Sequence, residues 1–159
     1  MKLQNAWPKP SADIPMSDPR LEELIEEFSF LDEWEERYRY VIDLGRTLAP
    51  LAESERVEIA KVRGCASQVW LVSATEPETG TVEFRGQSDA AIVQGLLAIL
   101  VRLYSGRPPS EILALDAQTA FQALGLGDAL TPQRSNGLKA MAQRMQDVAR
   151  DALAATAPN

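Results

Sequence analysis

The chain has 159 residues, 45% of them apolar and 25% charged, with 23 acidic and 16 basic side chains and a formal net charge of -7. That size and balance fit one globular domain with a sizeable core, and the acidic excess without a Lys/Arg cluster argues against nucleic-acid binding. A single cysteine and no histidine exclude an intramolecular disulfide, nearly exclude a structural zinc site, and remove Ser-His-Asp or Cys-His catalysis from this chain acting alone.

Residues 1–16 contain Pro8, Pro10 and Pro15 without periodicity, so a loose N-terminal arm is expected. The arm has no apolar run of the kind a secretory signal needs. The longest apolar run, Ala90 to Val101, is broken by Gln94 and too short to span a bilayer. No membrane association and a cytoplasmic location are therefore expected, and one free cysteine suits a reducing compartment.

Ser17 is read as the cap of a first helix, with Pro19 in the first turn and Leu21, Leu24, Ile25 and Phe28 on one face. A second helix is expected from Asp32 to Leu48, with Trp34, Tyr38, Val41, Ile42 and Leu48 along its stripe. Trp34 and Tyr38 stand four residues apart, a spacing that favours packing over recognition. Val57, Ile59 and Lys61-Val62 alternate loosely and predict a short strand. Val69–Val72 and Thr81–Phe84 predict two antiparallel strands, joined by the turn residues Pro77-Glu78-Thr79-Gly80. Trp70, in an apolar strand, is assigned to the core.

Ser88 is read as the cap of the strongest helix, whose apolar positions are Ile92, Val93, Leu96, Leu97, Leu100, Val101 and Tyr104. The polar tip of Tyr104 suits an exposed helix end. Gly95 within this helix costs about 1 kcal/mol against alanine, which close backbone packing would explain. Short helices are expected over Ser110–Leu115 and Ala117–Leu124, the latter stopped at Gly125. A last helix is expected over Ser135–Leu153, with Leu138, Met141, Met145, Val148 and Ala152 facing inward and residues 154–159 frayed. Residues 17–153 are thus expected to form a single domain.

Chemistry concentrates in Val62-Arg63-Gly64-Cys65-Ala66-Ser67-Gln68-Val69-Trp70. Free cysteines are commonly small buried hydrophobes, and Cys65 has that reading. It also has a functional one. Gly64 opens backbone conformations closed to other residues. Ser67 and Gln68 offer hydrogen bonds to a sulfur anion, and a positive charge at the neighbouring Arg63 would favour thiolate. Read as chemistry alone, the string leaves both open.

The segment resembles the cysteine motif of the SufE family, the sulfur acceptors that work beside group II cysteine desulfurases in iron–sulfur cluster assembly. Trp34-Glu35-Glu36-Arg37-Tyr38 with Ile42-Asp43-Leu44-Gly45, Gly64 to Trp70, Gly86 to Leu96, and Leu130 to Leu138 are similar to its motifs in family order. The resemblance covers roughly residues 18–152 and is weaker over Glu53–Val57. It implies an α+β fold with a small antiparallel sheet packed against helices, similar to iron–sulfur scaffold proteins. It implies that Cys65 accepts persulfide sulfur from a cysteine desulfurase, stimulates that enzyme, and delivers sulfur to an iron–sulfur scaffold complex. Pyridoxal phosphate would belong to the desulfurase, and no cofactor or metal is expected in this chain.

Around Cys65, the supporting residues are Gly64, Ser67, Gln68, Asp89 and Arg134. Asp89 has a simpler role as a negative charge at a helix N-terminus, and the resemblance puts it near the cysteine loop. Arg134 is either a surface or salt-bridge arginine or, by resemblance, part of the site. Gln68 bonds either its own loop or the sulfur. Three other readings compete: an adaptor whose cysteine is structural, a thiol enzyme such as a peroxidase or sulfurtransferase, and a metal scaffold, which fails on ligand count.

Overall fold

The computed structural model describes residues 18–127 and 130–156; the arm 1–16, Ser17 and the last three residues lie outside them. Helix α1 (Pro19–Ser29) starts where the Asp18 carboxylate accepts from the N–H groups of Arg20 and Leu21, so Asp18 is the cap expected at Ser17. Asp18 is itself buried against Arg107, 2.7 Å away, which ties the start of α1 to a residue 89 positions along the chain. Leu21, Leu24 and Phe28 form the buried face at helical spacing.

Helix α2 (Trp34–Gly45) is shorter than the apolar pattern suggests. At its start the Glu36 carboxylate accepts from the backbone N–H groups of Asp32 and Glu33, leaving these residues outside the helix. The expected strand over 57–62 is absent. Two 3-10 turns, Glu53–Glu55 and Glu58–Ala60, occupy that region, and Lys61 makes only an isolated bridge to Trp70. Four residues of loose alternation carry too little burial to hold a strand. Ala60 and Val62 turn inward while Val57 and Ile59 stay exposed.

Strands β1 (Val69–Thr75) and β2 (Val82–Ser88) pair antiparallel, with Val69 opposite Ser88 and Thr75 opposite Val82. Val69 and Leu71 face inward with Val82, Phe84 and Gly86. The period of two then puts Trp70 on the outer face, where it is half-buried rather than in the core.

Helix α3 (Ala91–Tyr104) crosses beneath the sheet and is buried continuously from Gly95 to Leu100, because α2, β2 and α6 all pack on it. Its cap is Ala90, whose methyl group offers no capping hydrogen bond. Ser88 instead ends β2, its hydroxyl accepting from the Ala90 N–H at 3.2 Å. A side chain on Gly95 would put Cβ 2.0 Å from the Val41 carbonyl oxygen, so α2 and α3 touch backbone to backbone as the sequence implied. Tyr104 is fully buried, contrary to the exposed end expected for it. Its hydroxyl is satisfied there, donating to the Leu115 carbonyl at 2.5 Å and accepting from Gln146 at 3.3 Å.

Short helices α4 (Pro109–Ala114) and α5 (Ala117–Ala123) lead to the long α6. The last helix begins at Pro132, three residues earlier than expected, and continues to Thr156, so residues 154–156 are helical rather than frayed. Leu138, Met141, Met145 and Ala149 pack inward. The architecture among the described residues is α+β: six helices and one two-stranded antiparallel sheet. No helix among them is long and apolar enough to cross a membrane.

Candidate functional site at Cys65

Cys65 follows the turn at Gly64, whose φ of 94° is a conformation that L side chains rarely adopt. A Cβ there would also meet the Ala140 side chain at 3.3 Å. Glycine therefore lets this loop both reverse and lie flat on α6. The Cys65 thiol then points at the helix, its Sγ donating to the Gly137 carbonyl at 3.6 Å. A Cβ on Gly137 would stand 3.7 Å from Sγ, so the missing side chain leaves space beside the sulfur.

That space is a cavity of about 130 Å³. Ile92, Leu96, Leu138 and Met141 line it from α3 and α6, with Ser67 and Arg134 contributing polar groups. Cys65 is half-buried against the apolar core. Burial pushes its thiol up from the ordinary value, because a thiolate loses hydration there. Arg63 does not offset this. Its guanidinium lies 3.0 Å from the Glu58 carboxylate in an exposed ion pair, so the expectation that it favours thiolate is not met in the free protein.

The supporting residues take different positions. Ser67 lies on the cavity, and its buried hydroxyl has no hydrogen-bond partner among the described residues. An unpaired buried hydroxyl costs about 1–3 kcal/mol. The Gln68 side chain is exposed and is not in the cavity wall. Its backbone matters instead: the Gln68 N–H donates to the Asp89 carboxylate at 3.0 Å, and the Asp89 N–H returns a bond to the Gln68 carbonyl at 3.2 Å. Asp89 thus closes the cysteine loop rather than serving in the first turn of α3, which begins two residues later.

Arg134 reaches the cavity from the first turns of α6. Its guanidinium lies 5.7 Å from the centroid of the Tyr38 ring, within cation–π range. Trp34 packs edge-on against Tyr38 at 5.4 Å, so an aromatic pair on α2 supports an arginine on α6. The packing role read for Trp34 and Tyr38 thus extends to Arg134, which lines the cavity.

Residue-by-residue reading missed Gly137 as a site residue, together with Ile92, Leu96 and Met141. Gly137 carried a signal: glycine inside a helix costs about 1 kcal/mol relative to alanine, and this one stands in the last motif. The three apolar residues were legible only as core.

The sequence matches the SufE model, described as an Fe-S metabolism associated domain, over residues 22–149. Two relatives named as uncharacterized SufE-like proteins are similar to it. One, from Rhizobium etli, is 53% identical over 132 residues, covering 82% of this chain and 89% of its own. The other, from Rhizobium meliloti (strain 1021), is 48% identical over 137 residues, covering 85% of this chain and 98% of its own. The solution structure of a hypothetical protein from Thermus thermophilus is similar with a TM-score of 0.71 and 25% identity, covering 87% of this chain and 99% of that one. With a family match across most of its length and relatives near half identity, the chain belongs to the SufE family of Fe-S metabolism associated domains.

Proposed function

We propose that this protein is a sulfur acceptor and carrier: Cys65 takes sulfane sulfur from the persulfide of a cysteine desulfurase, stimulating that enzyme, and delivers it to a scaffold complex for iron–sulfur cluster assembly. The observation that carries this reading is the half-buried Cys65 Sγ at the edge of a cavity that also holds an unpartnered Ser67 hydroxyl.

The transfer balances without an external oxidant or reductant. The Cys65 sulfur, as thiolate, attacks the terminal sulfur of the donor persulfide. One S–S bond breaks, a second forms, and the donor leaves as its thiol, the proton from Cys65 ending on one of the two products. The cavity gives the added sulfur apolar walls from Ile92, Leu96, Leu138 and Met141, which keep competing thiols and water away. In this reading the Ser67 hydroxyl donates to the terminal sulfur, and Arg134, lining the same cavity, supplies positive charge toward it. Pyridoxal phosphate is the chemistry of the donor enzyme. A reducing cytoplasm is the compartment in which such a thiol stays available.

The raised thiol fits this role, because a neutral, shielded Cys65 is inert until a partner rearranges the loop. Gly64 gives the loop its pivot and the Asp89–Gln68 pair its fixed end.

Intact-mass analysis after incubation with the desulfurase and free cysteine tests the reading. The protein should gain about 32 Da, one sulfur atom, at Cys65. Cys65→Ser should bind the desulfurase, gain nothing and fail to stimulate it. Stimulation by Cys65→Ser equal to that of the intact protein would replace the carrier reading with that of an adaptor holding a structural cysteine.

A further inference from the structure

The segment preceding Cys65 runs antiparallel along one face of α6. Cys65 Sγ meets Gly137, Gly64 lies against Ala140, and Arg144 donates to the carbonyls of Lys61 at 3.2 Å and Ile59 at 3.0 Å. Positions 137, 140 and 144 share that face, being three and four residues apart. The two Arg144 bonds fix the backbone of the turn Glu58–Ala60, and Ala60 is buried beneath it. The turn therefore has no freedom to tuck its other apolar side chain away: Ile59 is 85% exposed and Val57 42% exposed.

We infer that Ile59, with Val57 beside it, is the apolar anchor on which the cysteine desulfurase docks to reach Cys65. This rests on the acceptor reading above. The contact points at Gly137 and Arg144 are seven residues apart on a helix, about 10 Å along its axis. A standard interface covers about 800 Å² per partner, a disc of roughly 16 Å radius. An interface of that size centred on Sγ reaches the turn that carries Ile59. An isoleucine held out on a rigid turn loses little conformational freedom when buried, which favours binding. The exposed Glu58–Arg63 ion pair borders it as a polar rim. The chemistry asks for a desulfurase with a side-chain-sized apolar pocket beside its persulfide cysteine.

The test compares Ile59→Asp with the intact chain in two measurements: affinity for the purified cysteine desulfurase, and sulfur uptake by Cys65 from a small inorganic polysulfide that needs no docking. Leu153→Ser is the control, because Leu153 is an exposed apolar residue of α6 sixteen positions beyond Gly137, about 24 Å along the axis and outside the disc. Ile59→Asp should raise the dissociation constant about tenfold or more, leave polysulfide uptake unchanged, and differ from Leu153→Ser, which should bind as the intact chain does. Affinity within twofold of the intact protein overturns the docking inference and leaves the acceptor reading standing. Self-association of the intact chain that Ile59→Asp abolishes, with desulfurase affinity unchanged, also overturns it and assigns the patch to a second copy. An intact chain that binds the desulfurase through Ile59 yet gains no sulfur supports the docking surface and sinks the acceptor reading instead.

Discussion

Asp89 and Gln68 exchange two hydrogen bonds, the Gln68 N–H to the Asp89 carboxylate at 3.0 Å and the Asp89 N–H to the Gln68 carbonyl at 3.2 Å, and so close the cysteine loop at the point where it enters β1. Both residues are exposed, so neither bond protects the core. They tie the end of the cysteine loop to the segment between β2 and α3.

Asp89→Ala removes the carboxylate acceptor and should cost about 1 kcal/mol. The sharper readout is local: amide exchange at Gln68 should accelerate more than at Leu71, inside the strand. Unchanged exchange at Gln68 would mean that the loop is closed by packing alone.

The Cys65 thiol, pushed up by burial, should alkylate slowly at neutral pH, with a rate profile displaced to higher pH than that of the unfolded chain. The same displacement has a sign in stability. In the pH range between the unfolded and folded thiol values the native state keeps a proton the unfolded chain has lost, so stability falls as pH rises through that range. Cys65→Ala should lack this alkaline decline. Stability that fell equally in both proteins would place its cause elsewhere.

Gly137→Ala sets two effects against each other. Alanine in a helix interior is favoured by up to about 1 kcal/mol over glycine, and the new methyl would sit at ordinary contact distance, 3.7 Å, from Sγ. The variant should therefore melt higher. It should also accept sulfur more slowly, because the methyl takes space beside the thiol. A rise in melting temperature with undiminished sulfur uptake would show that the cavity at Gly137 is not used.

Gly95→Ala has no such compensation. Its Cβ would fall 2.0 Å from the Val41 carbonyl oxygen, and α2 and α3 must part to admit it. Overpacking of this kind costs about 1–3 kcal/mol or more, read as a lowered midpoint in chemical denaturation. A variant as stable as the parent would mean that the helices separate freely.

The helices were legible because their signals are local. Leu21, Leu24 and Phe28, or Leu138, Met141 and Met145, repeat at the spacing of one face whatever they pack against. The ends were less so. Ser17 and Asp18 are both good caps by chemistry, and the cap falls on Asp18, which Arg107 binds from 89 residues away. The turn at 57–62 read as a strand for a similar reason: its alternation was real, but whether its carbonyls went to a neighbouring strand or to Arg144 is decided by α6. Trp70 looked like core by composition, and the strand's pleat turned it outward.

Composition and motif by themselves determined that the chain has one thiol and no histidine to assist it, with Gly64 and Ser67 close to it along the sequence. Only the tertiary structure decided what surrounds that thiol. Gly137 stands 72 residues from Cys65, and Ile92, Leu96 and Met141 come from two further helix turns whose apolar residues look alike in sequence whether they fill a core or line a cavity. Side-chain spacing specifies which face of a helix turns inward. What that face meets, and where a gap is left beside a sulfur, depends on how whole helices pack, which no local pattern contains.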